Sequence, residues 1–295
     1  MAQDSGGRTL ISPAQLRRGR GKVVYWILLV AVVVGFTLVF LGPLYWMMTG
    51  ALKSGQEIAQ TPPTLFPEDP RPQNYADAWT NLNLAKLLFN TFYYATGALL
   101  FQLVLDTAAA YALSKLRPVL GNLILGLMLA TLMIPAMVLI VPQYVTVIEL
   151  PILHLNLLDS PFAIWLPAVA NAFNIFLLKR FFDAIPEDLM AAATIDGAGP
   201  LRTLWSIVLP ISRPILGVVS IFAVTAVWKD FLWPKLVMPS PETRTVSVGI
   251  YAFSAGTPMN VVVAAAVIAA VPTIVFFLIF QKNIMSGLTS GSLKG

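Results

Sequence analysis

The chain has no cysteine, one histidine (His154), and a charged fraction of only 11% over 295 residues. The first absence excludes disulfides, thiol catalysis and thiolate metal sites. The second excludes a metal centre built from several histidines. The third excludes an ordinary water-soluble enzyme, whose charged share runs near ~25%. Also missing are a Gly-x-x-x-x-Gly-Lys-Ser/Thr phosphate loop, a His-Glu-x-x-His pair and a nucleophile elbow. The chain therefore carries no equipment for binding ATP by that loop, for zinc proteolysis or for acyl transfer. No cofactor is called for.

What is present is apolar: 57% of the residues are hydrophobic. A core that large cannot be covered by so little polar surface, so the composition reads as an all-α integral membrane protein. The formal charge of +5 is then a matter of topology, not of nucleic-acid binding. Arg17, Arg18, Arg20 and Lys22 precede an uncharged run from Val23 to Leu52. A secretory signal has an apolar stretch of only ~7–15 residues, so this run is a retained first span.

A span needs ~20 mainly apolar residues, and the sequence offers six. They run over Val24–Met48, Leu87–Leu113, Leu123–Val141, Phe162–Leu178, Ile207–Trp228 and Val261–Phe280. Pro135 and Pro142 are expected to kink or end the third, because proline removes a ladder hydrogen bond. Val145–Leu158, with Glu149, Pro151 and His154, reads as an interfacial or re-entrant piece. The segment Ala51–Lys86, with Pro62, Pro63, Pro67, Pro70 and Pro72, reads as an extended loop.

Six spans put both termini on one side. That side holds thirteen of the nineteen cations: Arg8, Arg17, Arg18, Arg20, Lys22, Lys115, Arg117, Lys179, Arg180, Arg202, Arg213, Lys282 and Lys294. The excess marks it as cytoplasmic. The expected division is a tail over 1–22, a membrane domain over 23–282 with a cytoplasmic loop at 179–206, and a tail over 283–295.

The loop is the most informative stretch. Pro186 suits a first helical turn, and Glu187 and Asp188 follow where the helix dipole favours acids. Gly197 can take the left-handed conformation that ends a helix. Gly199 and Pro200 break the chain before a second short helix over Leu201–Ser206. The small face of Ala191, Ala192 and Ala193 either admits a partner's groove or belongs to a connector lying on the bilayer.

Within the spans, Asp106 is an expensive acid that can serve function; its expected partner is Lys115 near the inner interface. Gln102, Asn171, Asn174 and Thr225 are candidate pore-lining groups, or hydrogen-bond one helix to another. Trp228 and Trp233, beside Lys229 and Asp230, read as interface anchors. His154 reads as a solvated loop residue.

The loop resembles the corresponding loop of permease subunits of bacterial ATP-binding-cassette importers. That signature is Glu-Ala-Ala, three residues, glycine, nine residues, then Ile-x-Leu-Pro. Here Ala191-Ala192-Ala193, Gly197 and Ile207-Val208-Leu209-Pro210 stand at that spacing. Gly42-Pro43-Leu44-Tyr45-Trp46, Asn74-Tyr75, Asn90-Thr91, Ala109–Leu113, Trp228–Pro234 and the tail from Gly287 to Gly295 extend the likeness along nearly the whole chain. The tail is similar to that of the carbohydrate branch, in the group of the smaller maltose-importer permease.

The resemblance implies the type I importer permease architecture and a non-catalytic subunit in the bacterial inner membrane. It implies four kinds of partner: a second homologous permease, two ATP-binding subunits, an extracytoplasmic sugar-binding protein and the lipid bilayer. It also implies that Glu187, Ala191, Ala192, Ala193, Asp196 and Gly197 couple the pore to the ATPase. The signature's glutamate falls at Ala191. Either Glu187, four residues earlier on the same helical face, supplies the acid, or the loop docks by packing alone. The alternatives are a secondary transporter or channel without an ATPase, which calls for several intramembrane charges or internal repeats, and a membrane enzyme, which calls for clustered titratable groups.

Overall fold

The computed structural model describes residues 19–289, with side chains over 21–281. The outer parts of both expected tails, 1–18 and 290–295, lie outside the described residues. Residues 19–22 and 283–289 belong to helices.

The described chain is helical, with one isolated bridge between Leu150 and Leu155. Helices α1 (Gly19–Gly50), α2 (Gly55–Ile58), α3 (Gln73–Asn81) and α4 (Leu84–Tyr111) come first. A π-helical turn, Ala112–Leu116, closes α4. Then follow α5 (Gly121–Thr131), α6 (Ala136–Ile148), α7 (Phe162–Ala168) and α8 (Ala172–Asp183). The loop helix α9 (Glu187–Ile195) leads to α10 (Pro200–Thr203), a second π turn at Leu204–Val208, and α11 (Leu209–Ile211). Last are α12 (Arg213–Lys229), α13 (Leu232–Val237), α14 (Val246–Ser254) and α15 (Met259–Thr289).

Three helices are long and apolar enough to cross a bilayer unbroken, and three bent pairs bring the candidate spans to the six read from the sequence when each pair is counted as one. The pairs differ from the straight spans expected. The third bends by 102° between α5 and α6, the fourth by 48° between α7 and α8, and the fifth by 84° between Ile211 and Arg213. Proline accounts for two of the breaks. Pro135 precedes α6, and Pro214 starts α12, where each ring removes a donor from the helical ladder. Pro142, by contrast, sits inside α6.

The core is built along α4. Near its start, Leu84 and Leu87 pack with Ala78, Val246, Val261, Ala264 and Ala265. Midway, Tyr94, Ala95 and Ala98 pack with Ile164, Trp165, Val227 and Val237. At its end, Ala110 and Tyr111 pack with Leu178, Phe182, Val208 and Val219. By contrast, α1 buries little until Thr49 and Gly50, as suits a helix facing lipid.

The segment 51–86 is packed, not extended. Asn74 Nδ2 donates to the carbonyls of Ala51 and Lys53 at 2.8 and 2.9 Å, and Asn260 Nδ2 donates to Asn74 Oδ1 at 2.9 Å. Side-chain amides thus satisfy the turn that follows the first span, which composition alone does not reveal. On the same face, Asp159 gathers the 238–245 loop: it accepts Ser240 N–H at 3.0 Å and the hydroxyls of Ser240 and Thr243. Burial works to raise the Asp159 carboxyl. These hydrogen bonds and the Arg244 charge prevail and hold it below its ordinary range. His154 is exposed, as read, and lies 3.2 Å from Glu149.

The approach of α7 to α4 is set by a glycine. A Cβ on Gly97 would stand 2.1 Å from the Trp165 ring, whose indole donates to the Tyr94 carbonyl at 3.1 Å. Gly97→Ala is expected to destabilise the chain by about 1–3 kcal/mol through overpacking, and to cost far less in a Trp165→Leu background. Thermal melting in detergent micelles checks this; an equal cost in both backgrounds would mean that Trp165 does not set the approach.

Candidate coupling loop and membrane cavity

The loop folds as its local chemistry dictates. Pro186 caps α9, and Glu187 and Asp188 occupy the first turn. Gly197 takes φ +73°. Its N–H bonds the Thr194 carbonyl at 3.0 Å, and the Ala198 N–H bonds the Ala193 carbonyl at 2.9 Å. That pair of bonds is the Schellman stop. Gly199 and Pro200 then start α10.

The expected loop residues do not share one role. Ala191, Ala192, Asp196 and Gly197 are exposed, whereas Ala193 is turned inward at 4% exposure. Glu187 is exposed but paired with Arg117 at the end of the second span. Sequence reading missed three apolar residues beside this face: Ile195, Leu201 and Trp205 are 85%, 74% and 70% exposed. Their unpaired apolar character was visible in the sequence, but which way they point was not.

Inside the membrane, the four candidate polar residues do not form one site. Gln102 is buried and borders a cavity of about 330 Å³ shared with Gln143, Asp230 and Trp233. Its Oε1 has no hydrogen-bond partner among the described residues. Thr225 borders a separate, apolar cavity of about 370 Å³ with Phe92, Trp228 and Phe276. Asn171 caps α8, its side chain accepting the Asn174 N–H at 3.1 Å, and Asn174 is buried. Gln143 and Asp230 were not among the expected lining residues. A lone glutamine in an apolar run gives little signal, and Asp230 was read as part of an interface belt.

One further expectation is corrected. Asp106 does not pair with Lys115. It is fully buried, and its Oδ1 accepts the backbone N–H of Asn171 at 2.9 Å, at the break between α7 and α8. Lys115 instead donates to the Ile185 carbonyl at 2.9 Å. The reason is depth: a fully enclosed carboxylate takes the nearest orphan N–H, while lysine reaches outward. The two tryptophans also tie helices together. Trp233 Nε1 donates to the Ala163 carbonyl at 2.9 Å, and Trp228 Nε1 to the Ala269 carbonyl at 3.3 Å, one turn before Pro272.

A bundle of whole and broken apolar helices around a largely apolar cavity that a few polar side chains border, with a helical loop between two spans, has the architecture of a membrane permease subunit. Residues 107–289 match the family described as binding-protein-dependent transport system inner membrane component. The chain belongs to that family. It is 34% identical over 257 residues to the sulfoquinovosyl glycerol transport system permease protein SmoH of Agrobacterium fabrum, covering 86% of this chain and 88% of that one. It is 33% identical over 261 residues to the sn-glycerol-3-phosphate transport system permease protein UgpE of Yersinia pestis, covering 85% and 91%. Its fold matches a chain in the crystal structure of a bacterial ABC transporter involved in import of the acidic polysaccharide alginate. The TM-score is 0.78 at 23% identity, over 90% of this chain and 98% of that one. The fold is thus that of a type I importer permease in the inner membrane.

The Schellman stop yields a local prediction. An alanine forced into the left-handed conformation at Gly197 costs about 1–2 kcal/mol. Gly197→Ala should therefore speed amide exchange at residues 197 and 198 by roughly five- to thirtyfold, and Gly197→Asn by less. Unchanged exchange would mean that the loop ends in another turn.

Proposed function

We propose that this chain is the membrane-spanning permease subunit of an ATP-driven, binding-protein-dependent importer of sugars or related polyols. It forms half of the pore with a second homologous permease. Two ATP-binding subunits hydrolyse ATP below it, and an extracytoplasmic sugar-binding protein delivers solute above. The exposed helix–turn–helix at 187–203 carries this reading. Its outer face is open while Ala193 faces the bundle, and it sits in the stretch that matches the family. The excess of Lys and Arg on its side supports a cytoplasmic loop and cytoplasmic termini.

Ala191 and Ala192 let an ATPase surface approach closely, and Ile195 and Leu201 beside the Gly197 stop supply apolar contact. Asp196 edges the same face. The pairing of Glu187 with Arg117 favours docking by packing over an acid supplied by Glu187. Gln102 faces the solute path through the cavity it shares with Gln143 and Asp230. Asn171 and Asn174 support the break in the fourth span, and Thr225 faces a neighbouring helix or lipid. An ion-coupled transporter would call for several charges deep in the spans; Asp106 is engaged with the Asn171 N–H, and Asp230 sits at the end of the fifth span, capping α12.

Affinity purification from the native membrane should recover a second permease and an ATP-binding subunit by mass spectrometry. Proteoliposomes of that complex should take up the binding protein's sugar only with ATP. Ala192→Trp should reduce ATPase recovery by at least about tenfold, equivalent to ~1.4 kcal/mol. Recovery of the chain alone, still transporting without ATP, would overturn the reading.

A further inference from the structure

We propose that the turn closing α4 is a rigid strut that fixes the base of α9 to the second span, with Ser114, Lys115 and Arg117 as its positioning residues. The inference rests on the coupling role proposed for the loop. Three attachments run in register between the two stretches. Ser114 Oγ donates to Asp183 Oδ1 at 2.7 Å. Lys115 Nζ donates to the Ile185 carbonyl at 2.9 Å. The Arg117 guanidinium pairs with the Glu187 carboxylate. Residues 114, 115 and 117 on one side thus meet 183, 185 and 187 on the other.

The strut is braced from both sides. Lys179, one turn earlier on α8, donates to the second oxygen of Asp183 at 2.8 Å. Arg117 Nε donates back to the Ser114 carbonyl at 3.2 Å. Ser114 and Ile185 are buried, and Tyr111, Phe182 and Ile185 share one apolar cluster beneath the rungs. An exposed ion pair such as Arg117–Glu187 holds little by itself. Here it is the outermost of three rungs, and each inner rung has one buried partner, Ser114 or Ile185.

The backbone points the same way. Residues Ala112–Leu116 form a π turn, a feature frequent at functional sites. Arg117 then takes φ 48°, a left-handed conformation that L-residues other than Asn and Asp adopt at a cost. Glycine would sit there without strain, so an arginine marks a position where the guanidinium outweighs backbone ease. The consequence is mechanical. A push on α9 reaches α4 directly, instead of being absorbed by the 184–186 link. Gln102, at the edge of the cavity, lies twelve residues before Ser114 on the same span, about 18 Å along the helix.

The test uses the complete transporter, this chain with its partner subunits, in proteoliposomes. Arg117→Glu and Glu187→Arg should each cut ATP-driven uptake roughly two- to fivefold while leaving ATPase recovery at the parent level. The double variant should restore uptake. Single variants that match the parent, or a double variant no better than the weaker single, would overturn the proposal. The chain's lack of cysteine permits a second reading. Ser114→Cys with Asp183→Cys should form a disulfide in membranes and keep uptake, because the rungs stay closed through the cycle. Failure to cross-link, or uptake lost on oxidation and regained on reduction, would overturn a rigid strut. If the unsubstituted complex shows no ATP-driven uptake, the importer reading fails, and cross-linking still decides whether the strut exists.

Discussion

A bilayer offers no water to an unpaired backbone group, so irregular backbone at membrane depth stands only where the protein supplies its partners. One buried face of the second span does much of this. Asp106 takes the N–H left free where the fourth span breaks. Thr91 takes the Val246 N–H at the start of α14. Asn90 and Tyr94 donate to the carbonyls of the 242–244 turn, and the Tyr94 carbonyl receives the Trp165 indole. The three apolar clusters are arranged along the same helix. Other spans can bend because this one is unbroken and buries one face among the elements it serves.

The same arrangement separates a packed centre from an exposed apolar periphery. α1 presents apolar side chains in nearly every direction and joins the bundle only at its end. Apolar packing between helices has no hydrophobic driving force in lipid, so close approach and hydrogen bonds decide which helices associate. Gly97 under Trp165 and Gly249 against Leu87 are such approaches, since a Cβ at either would collide with its neighbour. Both glycine contacts involve α4 itself. In the importer reading, the cavity beside Gln102 and the strut at Ser114 are then two stations on one rigid element.

Much of this was legible in the sequence. The spans announce themselves through long uncharged runs, and the loop helix through Pro186, Glu187, Asp188 and Gly197, all local signals. The breaks were partly legible: Pro135 marks one, while the bend at 169–171 depends on Asp106, sixty-five residues away in the chain. The partners of Asp106, Glu187 and Lys115 were not legible, because each is set by tertiary packing between spans. The order in 51–86 was hidden for the same reason: five prolines suggest an extended chain, and the amides of Asn74 and Asn260 that fix it lie 186 residues apart.

The central claim is that the second span satisfies the broken backbone of its neighbours. Thermal melting of the Asp106→Leu chain in lipid nanodiscs tests it most directly. The substitution keeps the forked outline of the side chain but removes the acceptor for the Asn171 N–H. The account predicts a loss of about 1–3 kcal/mol, the cost of an orphaned buried donor, with Asp106→Asn falling between the two. Melting as high as that of the parent would contradict it, and would mean that the break in the fourth span is satisfied without the second.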